Sequence, residues 1–213
     1  MLWVMIIVYL AQGRPHYPSQ TGKIPFISDI GAGTLKPLFV TGATITAIFF
    51  FLSLLSLRRG RDLPKRKDRI FDLVALLFGL LGCVGLVLLS VFDTERHPTL
   101  HVVFLLLFML SIIVSAIFTT LEYYSLEIIF RRNFELRYSY IAKASLLVVE
   151  AGLSIGFAIC AVLKEPTAGA AIEWLISFIF TFYVITFYFD LRPEAGADVE
   201  VTGVVADVPT PEA

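Results

Sequence analysis

The chain has 213 residues, 57% of them hydrophobic and 16% charged, with a mean hydropathy of +0.82. That composition excludes an ordinary soluble domain of this length and makes the bilayer the expected solvent. The net charge of −1 sums over both sides of a membrane and names no partner; no nucleic acid is expected.

A hydrocarbon core about 30 Å thick takes about 20 apolar residues per helix. Met1 to Ala11 is apolar but too short, since its 11 residues reach only about 16 Å at about 1.5 Å per residue. It lacks the basic flank and cleavage site of a signal peptide. It reads as the second half of a first helix whose start is missing, as in a truncated gene model or an internal start. Residues 12 to 36 form a loop carrying His16 and "KIPFISDIGAG", where Ser28, Asp29 and Gly31 stand in an apolar run. Asp29 is expected to accept a hydrogen bond from nearby backbone or from His101, with a headgroup site as the alternative.

Charge-free runs follow at Pro37 to Leu57, Leu73 to Phe92 and Val102 to Leu121. The loop between the first two, "RRGRDLPKRKDR", holds seven cations: Arg58, Arg59, Arg61, Lys65, Arg66, Lys67 and Arg69. Each one near an anionic surface contributes about 1 kcal/mol, so the loop is a candidate site for membrane lipids, anionic phosphoinositides included. Retention of positive charge on the cytoplasmic side also explains it. Gly79, Gly82 and Gly85 recur every third residue of the second run, a small-residue face expected to pack on a neighbouring helix.

Between the second and third runs, "FDTERHPTLH" supplies Asp93, His97 and His101. Two histidines four apart on one helix can share a metal, but Pro98 is expected to open that helix and leave His97 outside it. No resident metal or cofactor is expected. Ala144 to Leu163 carries Glu150 near its middle and Gly152, Gly156 and Cys160 at spacings of four. An acid at that depth is a functional suspect; Glu150 is expected to hydrogen-bond across to another helix, with lipid or proton handling as the alternative. The last run, Pro166 to Phe189, holds Glu173 and Trp174 and a crowd of aromatics that anchor at the interfaces, fill the bundle or meet lipid tails.

Cys83 and Cys160 fall within spans, so no loop disulfide is expected, and the only Asn, Asn133, is in no glycosylation sequon. Residues 194 to 213 mix five acids with Gly, Pro, Ala and Val and read as a disordered acidic cytoplasmic tail behind a transmembrane bundle of residues 1 to 193. Twelve of the 17 Lys and Arg gather on one side, namely the 58-to-69 and 122-to-143 loops and Arg192. That side is cytoplasmic, and residues 12 to 36, 93 to 101 and 164 to 172 face outside or a lumen. The fold class is therefore all-α, a polytopic membrane helix bundle. No Gly-rich phosphate loop, Cys-His pair or nucleophile elbow appears on the inner side, and no catalytic residue is assigned.

"HYPSQTGKIPFISDIGAGTLKPLF", "SVFDTERHPTLHVVFLLLFM" with "SAIFTTLEY", and "EWLISFIFTFYVITFYFDLRP" resemble, in order, the family joining the DRAM autophagy modulators, the fungal suppressor-of-four-kinase proteins and the FGF-receptor-activating proteins of GPI-anchor maturation. The resemblance runs from Met1 to about Pro193 and is nearest the fungal branch. It implies six transmembrane helices and maps Ser28, Asp29, Gly31, Asp93, His97, His101, Glu173 and Trp174 onto outer-face motifs. It also implies a plasma-membrane regulator of lipid homeostasis, tied to a phosphatidylinositol 4-kinase complex and to phospholipid asymmetry. Its other branches imply a lipid-remodelling enzyme or accessory in GPI-anchor maturation, at the ER or Golgi, or an autophagy modulator at the vacuole or lysosome.

Overall fold

The computed structural model describes residues 1–59, 66–129 and 134–190, with the side chains at 59, 123, 125–129, 134–140 and 189–190 left out. The expected tail, Arg61 and Lys65 therefore lie outside the described residues. The described residues form seven helices and no strand: α1 (Leu2–Ala11), α2 (Ile27–Ala32), α3 (Lys36–Arg59), α4 (Arg66–Val91), α5 (Pro98–Ile129), α6 (Phe134–Leu163) and α7 (Pro166–Asp190). Five of them, α3 to α7, are long and apolar enough to cross a membrane. In lipid every backbone N–H and C=O must be satisfied within its own segment, and the helix does this. The chain is an all-α polytopic membrane bundle.

The helices overrun the apolar runs at the basic end. Residues expected to lie in the 122-to-143 loop are mostly helical, and α4 begins at Arg66, so Arg66, Lys67 and Arg69 belong to a helix. Hydropathy marks where hydrocarbon ends, whereas backbone hydrogen bonding carries the helix on into the headgroups. At the outer end, α5 and α7 open on Pro98 and Pro166, where a missing N–H costs nothing. α6 ends with Lys164 in the left-handed region at φ 57°, the position a C-terminal glycine usually takes.

α4 packs most extensively on α5, followed by α6 on α7 and α3 on α4, while α3 and α7 touch little. Gly82 and Gly85 set the first of these contacts: a Cβ on Gly85 would stand 2.9 Å from the Phe108 backbone nitrogen, and one on Gly82 2.7 Å from Ile112 Cδ1. Ser115 Oγ of α5 donates to the Ala75 carbonyl of α4 at 2.7 Å, and Cys83 Sγ of α4 to the Ala47 carbonyl of α3 at 3.3 Å. On α6, Gly156 and Cys160 face α7, a Cβ on Gly156 standing 3.6 Å from Ile172 Cδ1, whereas a Cβ on Gly152 would meet nothing within 4 Å. One hydrophobic cluster gathers Phe50, Leu54, Ile112, Tyr183 and Phe187. The other, nearer the outer end, joins Met5, Ile27, Ile30, Phe39 and Leu89. Phe182 and Tyr188 stay exposed on the outside of α7.

Candidate functional site

The outer loops are drawn to one end of the bundle and tied by backbone. "PFISDIGA" is a buried turn of helix, α2, and not an open loop. Its acid serves it directly: Asp29 Oδ2 accepts from the Phe26 backbone N–H at 2.9 Å and Asp29 Oδ1 from Ser19 Oγ at 2.6 Å. An acid three residues into a helix reaching back to the preceding N–H is half of a capping box. Glu173, from α7, satisfies a second free donor of the same terminus, Oε2 accepting from the Ile27 N–H at 2.8 Å. Trp174 Nε1 donates to the Pro25 carbonyl at 3.0 Å, and the Lys23 N–H to Thr167 Oγ1 at 3.0 Å. Gly31 lets α2 close on α3, since a Cβ there would stand 2.6 Å from the Phe39 ring. Ser28 is buried, and its carbonyl lies 3.4 Å from Thr94 Oγ1. Tyr17, beside this turn, has its phenol pushed up from the usual range by burial, then by Tyr9 and Asp29.

Asp93 anchors the second outer loop. Its carboxylate takes Lys36 Nζ, Arg96 Nη1 at 3.1 Å and the Arg96 backbone N–H at 2.7 Å. Burial alone would raise its pKa; the Lys36 hydrogen bond, the Arg96 N–H and the two positive charges outweigh it and hold the group at about 2. His101 is buried, with Nδ1 2.8 Å from the Leu89 carbonyl and 2.9 Å from that of Phe92. Both partners accept only, so Nδ1 carries the proton. His97 lies outside α5, its ring 5.5 Å from that of Phe92. Asp29 thus pairs with Ser19 and backbone rather than His101, and no group of three His, Cys, Asp or Glu among the described residues could hold a metal ion.

Below the cap, a cavity of about 340 Å³ lies among α1, α3, α5, α6 and α7, with Glu150 and Glu173 in its wall. The hydrogen bond expected of Glu150 is not made at Oε1, which is buried without a partner.

The inner end separates its charges. Asp68 is 0% exposed while Arg66, Lys67 and Arg69, its neighbours on α4, are exposed. Arg58, expected at the lipid-binding face, pairs with Asp72 at 3.0 Å; the Arg59 side chain is not described. Behind this rim Glu122 and Lys143 are buried, Lys143 Nζ lying 5.1 Å from the Phe187 ring centre. Sequence reasoning missed this buried set, although Asp68 and Asp72 stand four apart on α4 and so share a face. It likewise missed Lys36 and Ser19 as partners of the outer acids.

Comparison with curated proteins gives 28% identity over 200 residues to "Protein sfk1" of Schizosaccharomyces pombe, covering 90% of this chain and 60% of the relative. The chain thus spans about 60% of that relative's length. No solved structure matches it. A family model described as Frag1/DRAM/Sfk1/Cwh43P N-terminal domain matches residues 1–194, spanning the outer cap and all seven helices, and to that family this chain belongs.

Proposed function

We propose that this protein is a non-enzymatic membrane regulator of lipid homeostasis. Its inner face binds anionic headgroups, phosphoinositides among them, and so recruits a phosphatidylinositol 4-kinase complex at the plasma membrane. The observation that carries the reading is the charge separation at the start of α4, where Asp68 is buried and Arg66, Lys67 and Arg69 face outward. Cations whose neighbouring acid is turned into the bundle present a net positive rim to the headgroup layer. The resemblance to the fungal suppressor-of-four-kinase branch, which implies a regulator of lipid homeostasis, supports the lipid setting.

The test replaces Arg61, Lys65, Arg66, Lys67 and Arg69 by Gln and leaves Arg58 with its Asp72 partner. At about 1 kcal/mol per cation, binding of the purified protein in nanodiscs to vesicles containing phosphatidylinositol 4-phosphate falls at least tenfold. Kinase recruitment in cells falls with it, while the amount of protein in the membrane is unchanged. Recruitment equal to wild type overturns the reading. Imaging the tagged protein places it at the plasma membrane; a vacuolar signal favours the autophagy branch instead.

A further inference from the structure

We propose that Arg58, oriented by Asp72, reads the phosphate monoester of an anionic headgroup and gives the inner face a preference for monoester over diester phosphate. The inference rests on the reading of that face as a headgroup site, and adds which residue discriminates and which residue positions it. Arg58 stands where the hydrocarbon ends, as the last residue of the span Lys36–Arg58, so a guanidinium there meets the headgroup layer. Its Nε lies 3.0 Å from Asp72 Oδ2, the two side chains being 39% and 12% exposed.

The packing of α3 on α4 sets this pair. It lies 11 residues along both helices from the Cys83–Ala47 hydrogen bond, about 16 Å at about 1.5 Å per residue, so one antiparallel register fixes both contacts. Asp72 also shares a small void with Leu54, Leu57 and Leu76, apolar neighbours beside which a charge pair is stronger than in water. A planar guanidinium held at Nε keeps its end-on edge, Nη1 and Nη2, for two oxygens of one phosphate. A monoester offers three terminal oxygens and about two negative charges, whereas a diester offers a single shared charge. The oriented fork therefore gains more from the monoester. Arg66 and Lys67, exposed at the start of α4, attract either phosphate through charge. Asp72 is itself negative, so charge and orientation predict opposite results when it is neutralised.

The experiment uses the whole chain in phosphatidylcholine nanodiscs, with the signal of empty nanodiscs subtracted. Two probes are titrated: dioctanoyl phosphatidylinositol 4-phosphate, which carries a monoester, and dioctanoyl phosphatidylinositol, which has only the diester. Wild type is expected to prefer the first at least tenfold. Arg58→Lys keeps the charge and loses the fork, and Asp72→Asn keeps Arg58 and loses its orienting carboxylate; each should lower the preference at least fivefold. A merely structural loss would weaken both probes and leave their ratio unchanged, and melting temperature with gel filtration confirms that the variants are folded. Glycerophosphoinositol 4-phosphate, the same headgroup without chains, identifies the source of the monoester: competition within threefold of the lipid's marks a soluble phosphate, and competition at least tenfold weaker marks the lipid. Equal binding of both probes by wild type, a ratio unchanged in both variants, or a ratio raised by Asp72→Asn would overturn the proposal and leave the headgroup reading of the inner face standing. Wild type that binds neither probe overturns both.

Discussion

Asp93 is the residue whose chemistry is best defined, because two cations and a backbone N–H converge on one buried carboxylate. Its pKa of about 2 lies below the ordinary 3.8, so its pairing stabilises fully above about pH 4 and is lost as pH falls through about 2. The contribution is about 1–2 kcal/mol, reduced from the full shift because the Lys36 and Arg96 side chains remain 28% and 63% exposed. Thermal unfolding in detergent is expected to show wild type losing that increment between pH 4 and 2, with Asp93→Asn flat over the same interval; parallel curves would refute the assignment. Asp29 acts by a different route, as a cap. Asp29→Ala, which leaves the Phe26 N–H without its acceptor, is expected to cost about 1–2 kcal/mol and to lower cellular abundance, whereas Glu173→Gln keeps an acceptor for Ile27 and is better tolerated than Glu173→Ala. Abundance measured by immunoblot against a membrane-protein standard decides between a structural loss and a change in lipid products at normal protein level.

Helix contacts sort the glycines into two kinds. On α4, Gly85 faces the backbone of α5, which cannot give way. Gly85→Ala is therefore expected to destabilise by about 1–3 kcal/mol through overpacking. On α6, Gly152 has open space, and Gly152→Ala is expected to be neutral or to stabilise by up to about 1 kcal/mol through helix propensity. Paired melting curves of the two variants check both, and a Gly85→Ala protein as stable as wild type would remove the close α4–α5 approach. The α6–α7 connection offers the reverse test. Lys164 holds φ 57° at the end of α6, a conformation disfavoured for side chains with a Cβ, so Lys164→Gly is expected to raise stability by about 0.5–1 kcal/mol. An unchanged or lower melting temperature would contradict that conformation.

For the whole molecule, the polar ties and the charges give a consistent polarity. Residues 12 to 36, the loop after α4 and the start of α7 are bonded together at one end, while Arg58, Asp72, Glu122 and Lys143 gather at the other. With Cys83 and Cys160 replaced by Ala, single cysteines at Gln12 and Lys67 are expected to react with an impermeant maleimide from opposite sides: Gln12 in intact cells, Lys67 only after permeabilisation. The reverse pattern would invert the orientation and detach the basic rim from the cytoplasmic leaflet.

The sequence alone determined that this is a helical membrane bundle, where its long spans lie and which end is basic, because hydropathy over about 20 residues and the cost of moving cations through lipid are properties of composition along the chain. It also marked Asp29, Glu173 and Gly31 as special, though not why. Their roles depend on partners distant in the chain: Ile27 for Glu173, 146 positions away, and the Phe39 ring for Gly31. Only the tertiary structure decided that "PFISDIGA" is a capped helical turn, that Arg58 is held by Asp72, that Asp68 faces inward, and that Glu150 borders a cavity instead of bonding to a neighbouring helix. Each of these turns on which helix faces which, and one chain's hydropathy pattern does not encode that, because lipid accepts an apolar surface as readily as another helix does.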